Sequence, residues 1–230
     1  MSARSVGARK PLASMAVVVD VVLFTPRDGA LALLVLPAPA RPRSRTRWVL
    51  PSDAVRPEES LGDAAVRISR DALGATPSFL EQAIADVGPR GAGDRRDIVV
   101  TYFGLVPGST NPGVSGAWIP TTDMTALAPR QAAGLEAAIL AMRARVDQQP
   151  IAFRLLPPTF TLSELQSVYE LLLGRRLHKA SFRRSLHASA LVEATDEWRS
   201  EGRGRPAQLF RYAPPRRRRR RRGIRFDLLG

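Results

Sequence analysis

The feature that most constrains the fold of this chain is the run from Leu50 to Ala75, LPSDAVRPEESLGDAAVRISRDALGA. An apolar stretch ends at Leu50-Pro51, a polar loop follows, and Gly74 closes the segment after it. The apolar positions of that last segment are Ala64, Ala65, Ile68 and Leu73. Three- and four-residue spacing favours a helix with one buried face, and a glycine is a common helix stop. The run therefore predicts a strand, a loop, a helix and a turn in succession.

The same run resembles the Nudix box, G-x5-E-x7-R-E-U-x-E-E-x-G-U, in which U is apolar. Glu59, Arg67 and Gly74 are in register with that pattern. The resemblance implies a helix whose glutamates hold divalent metal ions against a pyrophosphate. In this chain, however, those glutamate positions are Ile68, Asp71 and Ala72, and the opening glycine is Asp53.

One shortened carboxylate, that of Asp71, cannot supply the set of oxygen ligands that Mg²⁺ requires. We therefore expect the scaffold without hydrolysis, with no catalytic residue and no metal site. An ordinary amphipathic helix over Glu59 to Gly74 would explain the spacing alone, without any relation to the box.

The apolar runs around this segment predict an α/β sandwich. Runs 15–24 and 30–37 flank the turn sequence Pro26-Arg27-Asp28-Gly29 and predict an antiparallel hairpin. Segments 97–106 and 117–120 read as further strands. The predicted helix 130–149 then has Leu135, Ile139, Met142 and Val146 at helical spacing.

A second domain is predicted after Pro150. Thr161 with Glu164 forms a capping box ahead of an apolar helix that stops at Gly174. A short basic helix over 178–192 follows, anchored by Phe182 and Leu186, and then strands at 191–195 and 206–212 with the loop DEWRSEGRGR between them. Helix, helix and hairpin is the order of a winged helix-turn-helix. The apolar, Pro-containing segment 151–160 predicts a semi-rigid connection between the domains.

Positive charge is concentrated in this second part. Residues 1–149 hold 17 Lys and Arg against 14 Asp and Glu, whereas residues 150–230 hold 18 against 7 and include seven consecutive arginines, Arg216 to Arg222. This imbalance indicates a polyanion partner for the C-terminal part, and we expect double-stranded DNA. A basic helix face that is merely solvated is the alternative. The expected DNA contacts are Thr161, Lys179, Ser181, Arg183, Arg184, Arg203, Arg205 and Gln208.

From about Met15 to Tyr212 the chain resembles the Nudix-related transcriptional regulators of NAD metabolism, the NrtR type. The match rests on PIAFRLLPPTFTLSELQSVYELLLGRRLHKASFRRSL, LVEAT and GRPAQLFRY. The resemblance implies an α+β protein, a Nudix-type α/β/α sandwich followed by a C-terminal winged helix-turn-helix. It also implies a homodimeric repressor of NAD-biosynthesis or related nucleotide genes that binds a palindromic operator and senses ADP-ribose or a related nucleotide.

The resemblance also nominates ligand-binding residues. Arg96 is in register with a basic motif of the family and is expected to contact a phosphate, although Asp94 stands where an arginine is usual. Glu59 and Arg67 are expected to act as a pair that shapes the loop of the box, with a direct ligand contact as the alternative. The family has an Asp-His pair after an apolar Leu-Ala, where this chain reads Leu127-Ala128-Pro129-Arg130. The resemblance therefore constrains the identity of the effector less than it constrains the architecture.

The predicted layout is a flexible lead at 1–14, a Nudix-like ligand-binding domain at 15–149, a winged helix at 150–213 and an Arg-rich tail at 214–230. The chain has no cysteine, which excludes disulfides and thiolate metal sites and is compatible with the cytoplasm. The run Met15 to Phe24 is too short to span a membrane and is interrupted by Asp20. Two hypotheses remain: a ligand-responsive DNA-binding regulator that requires no cofactor, and an active Nudix-type pyrophosphohydrolase with an accessory basic domain.

Overall fold

A mixed seven-stranded sheet forms the centre of the N-terminal part. The computed structural model describes residues 15–39, 46–88, 96–113, 115–123, 127–200 and 206–214. The strands are β1 (Val17–Arg27), β2 (Ala30–Pro37), β3 (Trp48–Val49), β4 (Ser52–Ala54), β5 (Phe79–Val87), β6 (Ile98–Leu105) and β7 (Ala117–Pro120). The strand order is β3-β2-β1-β6-β5, with β4 paired to β1 and β7 to β2. The β1–β6 pairing is parallel and the other pairings are antiparallel.

The predicted hairpin is confirmed, but its turn is tighter than expected. β1 continues through Pro26 and Arg27, so only Asp28 and Gly29 connect it to β2. Both residues have positive φ, 50° and 75°, as a two-residue turn that follows the strand twist requires. Asp tolerates this left-handed conformation and Gly has no steric penalty there.

Two helices cover opposite faces of the sheet, which confirms the α/β/α sandwich. They are α1 (Leu61–Leu73) and α2 (Pro129–Gln148). Because strand side chains alternate between faces, Val19, Val21 and Leu23 of β1 pack with α1, whereas Val22 and Phe24 pack with α2. The four residues expected to be buried on α1 are buried, and Ser69 and Ala72 join them.

The C-terminal part is a winged helix, as predicted. It contains α3 (Leu162–Leu173), α4 (Lys179–Ser189) and a three-stranded sheet of β8 (Thr159–Phe160), β9 (Val192–Arg199) and β10 (Ala207–Tyr212) in the order β8-β10-β9. The capping box is present: the Thr161 hydroxyl accepts from the Glu164 backbone N–H, and the Glu164 carboxylate accepts from that of Thr161. Gly174 ends α3 with φ 69°.

Three sequence-based assignments were wrong. Ser52 to Ala54, expected in the loop of the box, form β4 and pair with β1. The edge strand β5 was missed, because FLEQAIADV shows no clean alternation and its outer half is exposed although largely apolar. Asp196 to Arg199 belong to β9 and not to a loop, since this strand pairs with β10 through Trp198 and Arg199 despite its polar composition. Residues 1–14, 201–205 and 216–222, on which other expectations fall, lie outside the described residues.

One apolar cluster runs through both parts of the chain. It includes Phe24 and Leu135 beside the sheet, Val146 at the end of α2, and Tyr169 and Phe182 in the winged helix. The connection itself is a 3-10 helix, Ile151–Leu155, in which Ile151, Ala152, Phe153 and Leu155 are buried. The two parts are thus packed together without an exposed tether. Among the described residues, no helix combines the length and apolarity needed to cross a membrane.

Candidate functional site

A cleft of about 390 Å³ opens along α1 on the side of the degenerate box. The segment after β3 forms its floor, α1 forms one wall, and the loop between β6 and β7 forms the other. Its lining residues are Leu36, Pro51, Ser52, Asp53, Ile68, Asp71, Ala72, Gly113 and Ser115. Gly113 is required in this loop: its N–H donates to the Ala72 carbonyl at 3.0 Å, and a Cβ there would lie 2.3 Å from that oxygen.

The helix positions that carry metal ligands in the Nudix box face this cleft. Ile68 and Ala72 present apolar side chains there and are almost fully buried, while Asp71 is exposed. Over the residues that the structure describes, no group of three or more His, Asp or Glu side chains is placed to hold a metal ion. The charged side chains that line the cleft are those of Asp53 and Asp71.

Glu59 and Arg67 are brought together at the edge of the cleft. Arg67 Nε donates to Glu59 Oε1 at 2.8 Å and Nη2 to Oε2 at 3.0 Å, while Nη1 donates to Asp53 Oδ2 at 2.7 Å. Nη2 also donates to the Ala54 carbonyl at 3.1 Å. One guanidinium thus binds the box loop and β4 to α1, and these four bonds leave one of its five N–H donors for a ligand.

These contacts shift the ionisation of the pair. The Arg67 hydrogen bonds, helped by the Arg56 backbone N–H, lower the pKa of Glu59 to about 2. The same guanidinium lowers the pKa of Asp53. In return, the hydrogen bond to Glu59 raises the pKa of Arg67 above its usual value. The network is therefore fully charged at neutral pH and orders the loop that frames the cleft.

Glu59→Gln is expected to flatten the acid dependence of stability. A carboxyl whose folded pKa is about 2 against an ordinary 4.5 stabilises the fold above pH 4.5, and that contribution is lost as the pH falls toward 2. The measurement is the free energy of unfolding by denaturant at several pH values. The exposed Glu58→Gln variant is the control, and equal acid slopes for the two variants would contradict the assignment.

Arg96 is not brought to the cleft. It is exposed, lies just before β6 and is not among the residues that line the cavity. The buried polar group near the cleft is instead Asp20, 1% exposed, which accepts from Ser52 Oγ at 2.6 Å and from Arg130 Nη1 at 2.5 Å. Sequence reasoning missed this cluster, although an aspartate in the middle of the run VVVDVVLF is the signal that could have found it.

The basic face of α4 is exposed. Lys179, Arg183 and Arg184 are open to solvent, while Phe182 and Leu186 are fully buried beneath them. The predicted anchors therefore hold the helix with its cations outward, which is the arrangement of a helix that reads a DNA major groove. Ser181 is partly buried, with its hydroxyl 3.2 Å from His178 Nδ1 at the helix start.

The other expected DNA contacts have structural partners or lie outside the described residues. Thr161 is 8% exposed and its hydroxyl caps α3. Gln208 is partly buried, and its side-chain amide donates to the Thr195 carbonyl at 3.4 Å. Arg203 and Arg205 lie beyond the described part of the wing. Their roles remain predictions.

The cations on the described strands of the wing are engaged in ion pairs. Arg199 Nη1 lies 2.6 Å from Glu164 Oε1, which joins the wing to the first turn of α3. Arg211 Nη2 lies 2.9 Å from Glu193 Oε2 across the sheet. Asp196 and Glu197 of β9 are exposed. Sequence reasoning did not foresee these pairs, because they depend on how β9 packs against α3 and on its register with β10.

Comparison with known protein families gives two matches along the chain. Residues 15–140 match the NUDIX domain, and residues 152–212 match the NrtR DNA-binding winged helix domain. A protein of Acinetobacter baylyi named "ADPR responsive transcriptional repressor NtrR" is 30% identical over 209 residues, which cover 85% of this chain and 81% of that protein.

Two solved structures share most of this architecture. The crystal structure of Shewanella oneidensis NrtR complexed with a 27mer DNA superposes with a TM-score of 0.71 at 28% identity, covering 86% of this chain and 94% of that one. A MutT/nudix family protein from Enterococcus faecalis gives a TM-score of 0.68 at 16% identity, covering 87% and 88% of the two chains, and supports the fold alone.

Proposed function

Because this chain belongs to the NrtR family, in which a NUDIX domain precedes an NrtR-type winged helix, we propose that it is a ligand-responsive DNA-binding transcriptional regulator. The single observation that carries the proposal is α4: its three cations point outward above a buried aromatic and aliphatic anchor, in the element that reads DNA in winged helices. A relative solved with a 27mer DNA supports the same partner. The proposed location is the cytoplasm.

The proposed effector is ADP-ribose or a related adenine nucleotide. Support comes from the name of the Acinetobacter baylyi relative and from the cleft beside the box helix. The proposed outcome of binding is a change in operator affinity, in keeping with the words "ADPR responsive" in that name. The genes proposed to be regulated are those of NAD biosynthesis or related nucleotide metabolism.

The proposed DNA-binding form is a homodimer on a pseudo-palindromic operator. A single winged helix reads only a few base pairs, and selective binding normally requires two copies related by a two-fold axis. The proposed domain limits are 15–149 for ligand binding and 150–213 for DNA binding, with the lead 1–14 and the tail 214–230 outside them.

The protein is expected to lack Mg²⁺- or Mn²⁺-dependent turnover of ADP-ribose or NADH. Ile68 and Ala72 leave the helix without the carboxylates that would hold metal against a bridging phosphate. The measurement is AMP release over hours at high protein concentration, with an active Nudix hydrolase as a positive control. Release of AMP that disappears in Asp71→Ala would instead favour the alternative function, a Nudix-type pyrophosphohydrolase.

ADP-ribose is expected to shift operator affinity by about 10-fold, which requires only about 1.4 kcal/mol of preference for one arrangement. The test titrates operator binding against ADP-ribose, NAD, NADH, AMP and an unrelated sugar nucleotide. Because Arg96 does not line the cleft, Arg96→Ala is expected to reduce the shift only if the ligand extends beyond the cavity toward the start of β6; DNA binding of the free protein should not change, and the exposed Arg70→Ala is the charge-matched control. If no member of this panel binds, the effector assignment is wrong.

A further inference from the structure

Polar side chains in the first turn of α2 bind the floor of the cleft. The helix has no side-chain cap of its own. The N-cap of α2 is Ala128, with no side-chain hydrogen bond, and Pro129 follows it. The next residue, Arg130, reaches the buried Asp20 carboxylate, with Nη1 2.5 Å from Oδ2 and Nη2 3.3 Å from Oδ1. Ser52, which lines the cleft, donates to the same carboxylate at 2.6 Å.

A second contact joins the same two elements. Gln131 is 4% exposed, and its Oε1 accepts from the Leu50 backbone N–H at 3.1 Å, while its Nε2 donates to the Leu50 carbonyl at 3.5 Å. Within the segment from Leu50 to Asp53, Leu50 is therefore held by the first turn of α2 and Ser52 by the carboxylate that Arg130 binds. Pro51, Ser52 and Asp53 of this segment face the cavity.

The other end of α2 is packed into the winged helix. Met142 and Val146 are fully buried in the cluster that also contains Phe153 and Tyr169. The Arg143 side chain lies against the turn after α3, since a Cβ at Gly174 would be 2.3 Å from its Nη2. At 1.5 Å per residue, a 20-residue helix spans about 30 Å. One rigid element thus contacts the floor of the cleft at its start and the DNA-binding part at its end.

We propose that the Ser52–Asp20–Arg130 chain, with the Gln131–Leu50 contact, transmits occupancy of the cleft to α2 and through it to the winged helix. Arg130 is a positioning residue in this scheme and does not touch the ligand. A ligand that displaces Pro51 to Asp53 also displaces Ser52, one hydrogen-bond partner of Asp20. The displacement then reaches Arg130, the other partner, and with it the first turn of α2, which lacks a cap. For the identity of the ligand this inference rests on the proposed function.

The first test needs no ligand. Amide hydrogen exchange is compared between the full-length wild type, Arg130→Met and the charge-neutral pair Asp20→Asn/Arg130→Met. The neutral pair avoids an unpaired buried carboxylate, so it keeps the test valid if Arg130→Met alone unfolds. We expect faster exchange along α2 and through residues 151–173, and no change in α1, which packs on the opposite face of the sheet. Exchange that rises only at residues 50–53 and in the first turn of α2 would overturn the proposal.

The second test measures coupling. In the neutral pair, ADP-ribose and the operator should each bind the protein as they bind the wild type, but the expected effect of about 10-fold of one on the other should fall below about 2-fold. Arg70→Met, whose guanidinium makes a local contact with Thr76, is the control and should keep full coupling. Full coupling in the neutral pair would overturn the proposal. If ADP-ribose does not bind the wild type, the effector assignment fails, while the exchange experiment still decides the role of Arg130.

Discussion

Alanine at Arg183 or Arg184 is expected to weaken operator binding by about 1 to 3 kcal/mol, or roughly 5- to 150-fold, if the side chain reads a guanine. Both side chains are exposed on α4, and the buried Phe182 and Leu186 fix the helix beneath them. Truncating either side chain removes a hydrogen bond to a base edge without disturbing the core. Selectivity for the operator over a scrambled duplex should therefore fall together with affinity.

The measurement is fluorescence anisotropy of labelled operator and scrambled DNA at several salt concentrations. Arg70→Ala is a matched control, because it removes the same charge from an exposed position on α1.

Removing Arg216 to Arg222 is expected to act differently: affinity for all sequences should fall, and the salt slope should decrease by about 0.9 for each phosphate that the tail no longer neutralises. Loss of all sequence preference on tail deletion, with normal binding by both α4 variants, would reverse these assignments.

The sequence predicted the architecture well where local signals agree with tertiary packing. The Asp28-Gly29 turn, the Thr161 capping box and the stop at Gly174 are all chemical signals within a few residues. The continuous apolar run of β1 is typical of a strand buried on both faces, and the spacing along α1 specifies which face of that helix is buried. These features do not depend on distant parts of the chain, so a single sequence is enough to find them.

The parts that sequence reasoning missed depend on distant partners. β5 is an edge strand whose assignment comes from its pairing with β6 and not from its own pattern. Asp20 and Arg130 are separated by 110 residues, and neither position alone indicates an ion pair. The same holds for Arg199 and Glu164, which were expected in a wing loop and at a helix cap respectively, and which the packing of β9 against α3 brings together. Sequence reasoning identified Glu59 and Arg67 beside the cleft, but it did not identify the contacts that join the cleft to α2.

Phe153→Ala is expected to lower the free energy of unfolding by about 3 to 5 kcal/mol, the usual cost of removing a buried phenylalanine ring. Phe153 is 9% exposed and lies at the junction of the two parts. Its ring centroid is 4.6 Å from that of Tyr212, 5.7 Å from that of Phe160 and 6.4 Å from that of Tyr169. The three partner rings come from β10, β8 and α3, so removal of the Phe153 ring affects packing across the whole junction.

The same variant distinguishes one cooperative unit from two. Because a single apolar cluster includes residues of the sheet, α2 and the winged helix, both parts should unfold in one transition. Trp198 lies in the wing, whereas Trp48 and Trp118 lie in the N-terminal sheet. A variant that keeps only Trp198 reports on the winged helix, and a variant that keeps only Trp48 and Trp118 reports on the N-terminal part. Denaturant unfolding followed by fluorescence should give coincident midpoints in the wild type and a shared shift in Phe153→Ala. Leu140→Ala, at an exposed position of α2, is the control and should change stability by less than about 0.5 kcal/mol. If only the Trp198 signal shifts, the two parts fold independently, and α2 cannot carry the state of the cleft to the DNA-binding surface through the shared core.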